Sequence, residues 1–205
     1  MKSRREVLVG LSAVACAACA KDAVWCDEPL VTDDGPFPYP DTCAVTAEDI
    51  EGPYYISGAP ERADLDLYSD GGTPLMLSGQ VFDGDCSQPL AGATVELWHA
   101  DPGGGYDNRS DEMRYRCRLT CDAEGRYSVR TLLPGRYLNG SAYRPRHVHV
   151  KVFDASGTER LTTQLYFEGD PYIECDAFAS TSLVLPFSGS EETEVVAEDV
   201  WLVLA

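Results

Sequence analysis

The chain has 205 residues, 44% of them hydrophobic and 24% charged, which is enough apolar material for one sizeable core and too little length for a multidomain machine. Its 34 acidic residues against 16 basic ones leave a formal charge of −18, which repels polyphosphate and excludes nucleic acid as a partner. Beyond the N-terminus no run of about 18 apolar residues occurs, so a membrane-spanning helix in the mature chain is excluded as well.

Residues 1–20 combine a basic head, an apolar run from Val7 to Ala15 and small residues before Lys21, the pattern of an export signal. Arg4-Arg5 ahead of Val7-Leu8 looks like a twin-arginine signal, with the general secretory route as the alternative. Ala18-Cys19-Ala20 suits cleavage, whereas Cys16 or Cys19 suits lipid attachment. The expected location is periplasmic or extracellular, with lipid anchoring left open. Residues 21–50 are rich in Pro, Asp and Thr and read as an irregular arm, because the alternating prolines at 36, 38 and 40 suit neither a helix nor a central strand. Residues 51–205 then form the folded domain.

Six cysteines remain after the signal: Cys26, Cys43, Cys86, Cys117, Cys121 and Cys175. In an exported chain they most simply make three disulfides of unspecified connectivity. Cys117-x3-Cys121 has zinc-ligand spacing but lacks a second close pair.

From Leu75 onward the chain reads as short alternating segments: 75–83, 93–99, 114–120, 125–131, 146–153, 161–167, 180–187 and 195–204. Turn chemistry separates them, and no long pattern of 3.6-residue period intervenes, so the expected fold is all-β, a sandwich or barrel. Eleven basic residues lie between Arg109 and Arg160, a locally basic middle in an acidic shell. Among them Arg114, Arg116 and Arg118 alternate, which predicts one solvated strand face.

The chemistry concentrates in Arg144-Pro145-Arg146-His147-Val148-His149-Val150-Lys151-Val152. Residues i and i+2 of a strand share a side, so His147 and His149 face together while the three valines face the core. Two imidazoles make half a metal site. No Asp or Glu alternates in phase with them, and His99, at the end of a strand, reads as structural or supporting rather than as a ligand. The remaining hard donors are phenols, and Tyr106 and Tyr137 each follow a glycine-containing turn able to aim a side chain. Phenolate oxygen suits a ferric ion.

Glu51-Gly52-Pro53-Tyr54-Tyr55, Pro89-Leu90-Ala91-Gly92-Ala93-Thr94-Val95-Glu96-Leu97-Trp98, Gly105-Tyr106, Pro134-Gly135-Arg136-Tyr137, Arg144-Pro145-Arg146-His147-Val148-His149 and Gln164 to Pro171 run in this order. At these residues the sequence resembles the intradiol ring-cleavage dioxygenases, in the manner of protocatechuate 3,4-dioxygenase. The resemblance implies a prealbumin-like β-sandwich with long functional loops and a non-haem Fe(3+) centre held by Tyr106, Tyr137, His147 and His149. It implies that Tyr137 is released to accept a proton from the diol, that Arg144 stabilises developing negative charge, and that Gln164 lies near the substrate. Gly52, Pro53 and Tyr54 are then the candidate substrate contacts. The implied substrates are a catecholic diol and O2, and the product is a muconate-type diacid.

The export signal and cysteines depart from the familiar cytoplasmic enzymes of that family, and no long helical N-terminal region for dimerisation is evident; a homo-oligomer is left open. An ion pair with Asp154 is the bland role for Arg144. The competing class is a non-catalytic extracellular prealbumin-like binding module, which leaves the histidine pair and the two tyrosines as coincidence. A cupin-type metal site is disfavoured, because no histidine follows His149.

Overall fold

The computed structural model describes residues 29–35, 37 and 43–205. The export signal, Cys16, Cys19, Cys26 and most of the proline run fall outside the described residues. Eleven strands and no α-helix occur among the described residues: β1 (Pro74–Phe82), β2 (Thr94–His99), β3 (Arg116–Thr120), β4 (Arg126–Leu132), β5 (Tyr137–Asn139), β6 (Ala142–Arg144), β7 (His147–Phe153), β8 (Glu159–Phe167), β9 (Val184–Leu185), β10 (Ser188–Ser190) and β11 (Glu194–Val203).

Two main sheets form, one in the order β10-β11-β1-β4 and the other β3-β2-β7-β8-β9, with β5 and β6 as a separate hairpin. The alternation in sequence decides which faces meet. Leu75, Leu77 and Val81 of β1 and Val195, Ala197, Val200 and Leu202 of β11 turn inward, against Val95 and Leu97 of β2 and Val148, Val150 and Val152 of β7. Each of these side chains is fully buried. The core is therefore a sandwich interior, as the valine spacing around the histidine pair requires.

The second face of the five-stranded sheet is also buried, and this is what positions the site. All six residues of β2 and six of the seven in β7 are buried. The segments before β1, after β2, between β4 and β7 and after β8 lie against this outer face, through Tyr55 on Trp98, Tyr106 and Tyr137 on the histidines, and Arg144 against Gln164 with Asp176 behind it. Register fixes the neighbours on it: His149 stands between Trp98 of β2 and Gln164 of β8, and His147 is paired with Tyr166.

Four expectations require correction. Residues 180–187 form a 3-10 turn, Thr181–Leu183, and the two-residue β9 rather than one strand. The cysteines do not make three disulfides: Cys43 is bonded to Cys86 and Cys175 is disulfide-bonded, but Cys117 and Cys121 are free and buried. Four residues apart along an extended chain their Cα atoms stand about 13 Å apart, beyond the reach of a disulfide. Both face the sandwich interior as small apolar groups, Cys117 opposite Leu97.

The arginine trio does not form one solvated face. Arg114 lies outside β3, before Tyr115, whose φ of 54° breaks the extended run. Arg116 is 1% exposed, because the loop after Tyr106 folds over it, and only Arg118 is exposed. Finally, Asp154 pairs with Arg160 and not with Arg144.

Candidate metal centre

His147 and His149 project from the outer face of β7, with ring centroids 4.8 Å apart. The His147 Nδ1–H donates to the Pro145 carbonyl at 2.7 Å, so in the neutral ring Nε2 carries the lone pair. That Nε2 stands 3.3 Å from the Tyr106 hydroxyl. His149 is stacked flat on Trp98, at 4.7 Å and 5° between planes, and neither of its ring nitrogens has a hydrogen-bond partner among the described residues although both are buried. A buried, unpaired imidazole is costly unless something absent from the protein atoms occupies it.

The two tyrosines arrive on separate turns that touch. Gly135 N–H donates to the Asp101 carbonyl at 2.9 Å, and a Cβ on Gly135 would stand 2.5 Å from the Pro102 carbonyl oxygen. A Cβ on Gly104, whose φ is 89°, would stand 2.4 Å from the Arg136 carbonyl oxygen. This glycine-to-glycine approach brings the Tyr106 and Tyr137 rings to 5.6 Å, and Tyr137 to 5.6 Å from His147. Arg116 holds the loop beyond Tyr106 from below, donating to the Asp107 carbonyl at 3.0 Å and to Asn108 Oδ1 at 2.8 Å.

Thus Tyr106, Tyr137, His147 and His149, drawn from four places in the sequence, converge. Burial raises the phenol pKa of both tyrosines, with the positive charge of Arg144 opposing the shift. Burial depresses both imidazoles, His147 to about 3, and the Arg144 cation adds to the effect. With protein atoms alone the four donors are neutral; a bound cation reverses that preference for the phenols. Two hard oxygens and two imidazole nitrogens suit iron, and the orphaned His149 nitrogens leave room for it, so the residues present fit a ferric ion.

The other anticipated residues surround the four. Gly52, at φ 71°, presses on His149, where a Cβ would stand 3.3 Å from Cε1. Tyr54 stacks on Tyr106 at 4.3 Å, and Pro53 is exposed. Arg144 is opposite Tyr137 in the β5–β6 hairpin and donates to Gln164 Oε1 at 2.9 Å. A cavity of about 520 Å³ opens on Tyr106 and Tyr137, walled by Tyr54, Gly103, Gly105, Leu138 and Tyr143. A larger one, about 700 Å³, lies away from the four donors, beside Val31 and Phe37.

His99 is placed on the opposite face of the sheet, paired with Val148, where its Nδ1–H donates to the Ala100 carbonyl and its Nε2 accepts from Thr131. It is structural.

A family model described as Dioxygenase matches residues 50–201, which include every residue of the centre. The chain belongs to the intradiol dioxygenase family. It is 36% identical over 179 residues to catechol 1,2-dioxygenase 2 of Acinetobacter lwoffii, covering 77% of this chain and 64% of that protein. The dioxygenase domain of a dioxygenase and carbohydrate-binding protein fusion from Streptomyces sp. SirexAA-E superposes with a TM-score of 0.68 at 36% identity, over 78% of this chain and 99% of that one. Chlorocatechol 1,2-dioxygenase from Pseudomonas putida gives 0.67 at 30% identity, over 78% and 72%. The chain spans about three-fifths of the length of the curated relatives it matches.

Within this dioxygenase-family chain, sequence reasoning does not reach Trp98 as the platform for His149, Arg116 as the support of the Tyr106 loop, or Asp176 against Arg144. Trp98 carries a signal of sorts, since it lies beside His99 on a strand, but its register with His149 is set across 51 residues of chain.

Proposed function

We propose that this protein is a non-haem iron(III) dioxygenase that cleaves an aromatic 1,2-diol between its hydroxyl-bearing carbons to a muconate-type diacid. The reading is carried by the convergence of two phenols on two buried imidazoles, one of which has no other partner. Tyr106, Tyr137, His147 and His149 would hold the metal. When bound, Fe(3+) would act as a Lewis acid toward the diol oxygens and draw electron density from the ring.

The rest is done by the chain's own groups. Tyr137, which opens on the cavity, would take a proton from an incoming diol at its oxygen as the phenolate that a bound cation favours. His147 cannot serve as that base from Nδ1, which is committed to the Pro145 carbonyl. Trp98 and Gly52 hold His149 between them and keep water from its ring. Arg144, 5% exposed, supplies a fixed positive charge beside Tyr137, where developing negative charge is stabilised most strongly in a dry site. Tyr54 lines the cavity, and Gly52, packed on His149, and the exposed Pro53 precede it on the same segment as further substrate contacts of this reading.

Export belongs to the same proposal, supported by the Cys43–Cys86 disulfide, a bond that persists in oxidising compartments. Colour tests the central reading. Iron-loaded protein should show a visible phenolate-to-iron(III) band that shifts on adding catechol and should consume oxygen with it. Tyr106→Phe and His147→Ala should bleach the band. A protein that stays colourless after ferric loading would remove the basis of this reading.

A further inference from the structure

The segment between β8 and β9, residues 168–183, carries Asp176, an acid 3% exposed. Its Oδ2 accepts from Arg144 Nε. Its Oδ1 accepts from the backbone N–H groups of Phe178 at 2.8 Å and Ala179 at 3.2 Å. The carboxylate is therefore anchored to its own loop through one oxygen and to the guanidinium through the other.

On the far side, Arg144 Nη2 donates to Gln164 Oε1 at 2.9 Å and to the Tyr166 hydroxyl at 3.2 Å. Those acceptors are themselves fixed. Gln164 Nε2 donates to the Ile50 carbonyl at 2.9 Å, and the Tyr166 O–H donates to Asp49 Oδ2 at 2.8 Å. The Phe178 ring lies 4.9 Å from the guanidinium carbon. Nε and Nη2 are thus both engaged, whereas Nη1 makes no hydrogen bond among the described residues. A planar guanidinium held at two nitrogens and against a ring retains one orientation.

We propose that Asp176 is a positioning residue for Arg144: by engaging Nε it fixes the plane of the guanidinium and leaves Nη1 as the donor free to meet negative charge on the bound diol. This rests on the ring-cleavage reading above. Asp176 also balances a buried cation beside the candidate centre, so that Arg144 supplies a directed hydrogen bond there without an uncompensated charge. Nothing in the sequence pattern marks the residue, because it is 32 positions from Arg144 and on a loop without periodicity.

The test uses iron-loaded full chain carrying Asp176→Asn, which is isosteric and keeps Oδ1 for the two loop amides. Expected is a kcat on catechol lowered about 10- to 100-fold, with KM within about threefold, and with iron content and the visible band position as in the wild type. Asp176→Glu should recover part of the loss and Asp176→Gln should not, a comparison that decides the matter even if the asparagine variant fails to fold. A kcat within twofold of wild type in Asp176→Asn, equal rates in the glutamate and glutamine variants, or a fall in kcat matched by loss of iron would overturn the assignment. If the wild type itself turns over no diol, the ring-cleavage reading fails first and Asp176's role with it; a working wild type matched by its variant sinks Asp176 alone.

Discussion

Replacing Gly135 by alanine should take apart the centre without touching any of its four donors. The residue is buried, and an added Cβ would stand 2.5 Å from the Pro102 carbonyl oxygen, 2.8 Å from its carbon and closer still to the Gly104 amide. Ordinary carbon contacts lie near 3.5 Å, so the two turns must part by about 1 Å. Gly135 is not among the glycines with positive φ, so the effect is one of contact and not of backbone strain. Overpacking of this kind costs about 1–3 kcal/mol, and at about 2–4 °C per kcal/mol for a chain of this size the melting temperature should fall by about 2–12 °C. The larger effect is on function, since a misplacement of about 1 Å lowers rates about 100-fold. Iron per chain, the visible band and oxygen uptake with catechol are the measurements. Gly157→Ala is the control: its φ of 84° strains the substitution, but nothing lies within 4 Å and the turn is remote from the centre, so it should lose stability and keep iron. If Gly135→Ala retained wild-type iron, band and turnover, the docking of the two glycine turns would not be what assembles the tyrosines.

Three further outcomes follow from the described chemistry. Removing the Cys43–Cys86 bond, as the double serine variant, opens a loop of 43 residues and should cost up to about 4 kcal/mol in chain entropy, or a melting decrease of about 8–16 °C; a change below about 2 °C would contradict this. Burial pushes the Cys117 thiol up to about 12 and Cys121 to about 11, so alkylation mapped by mass spectrometry at pH 8 should spare both in the native chain and modify both after unfolding. His99 is held near pKa 4 by burial, against 6.5 in an unfolded chain. The unfolded state therefore binds its proton first, and stability present above pH 6.5 is lost as pH falls toward 4, by up to about 3 kcal/mol. His99→Gln should show a shallower fall in melting temperature over that interval, and an equal slope would show that His99 does not titrate as its burial requires.

What could be read from the chain and what could not divide along sequence distance. The strands were legible because alternation is local: Val148, Val150 and Val152 announce a buried face, and the same period puts His147 and His149 on the other. The tyrosines were legible because a glycine turn before each is local too. Neither pattern states which turn docks on which, and that choice is made by the absence of two β-carbons, at Gly104 and Gly135, 31 residues apart. The arginine spacing misled for a related reason. Alternation places Arg116 and Arg118 on one face, but whether that face meets water depends on the loop at Asp107 and Asn108, which closes over Arg116 and stops short of Arg118. The same holds for the cysteines. Spacing alone allowed three disulfides, yet the strand that carries Cys117 and Cys121 aims both at the sandwich interior, where packing and not pairing is their use. The outer face of the five-stranded sheet is where this limit matters most. The interior face of that sheet is mostly apolar and could be filled by many sequences, whereas the outer one stacks Trp98, His149 and Gln164 in a row and then Arg144 and Asp176 above it, each partner brought from a different strand or loop. Such a face has no apolar driving force of its own large enough to specify it. Arg144, Gln164 and Asp176 hold one another there, whereas Trp98 Nε1 and the His149 nitrogens are buried without a partner among the described residues, and at His149 a metal would complete the set.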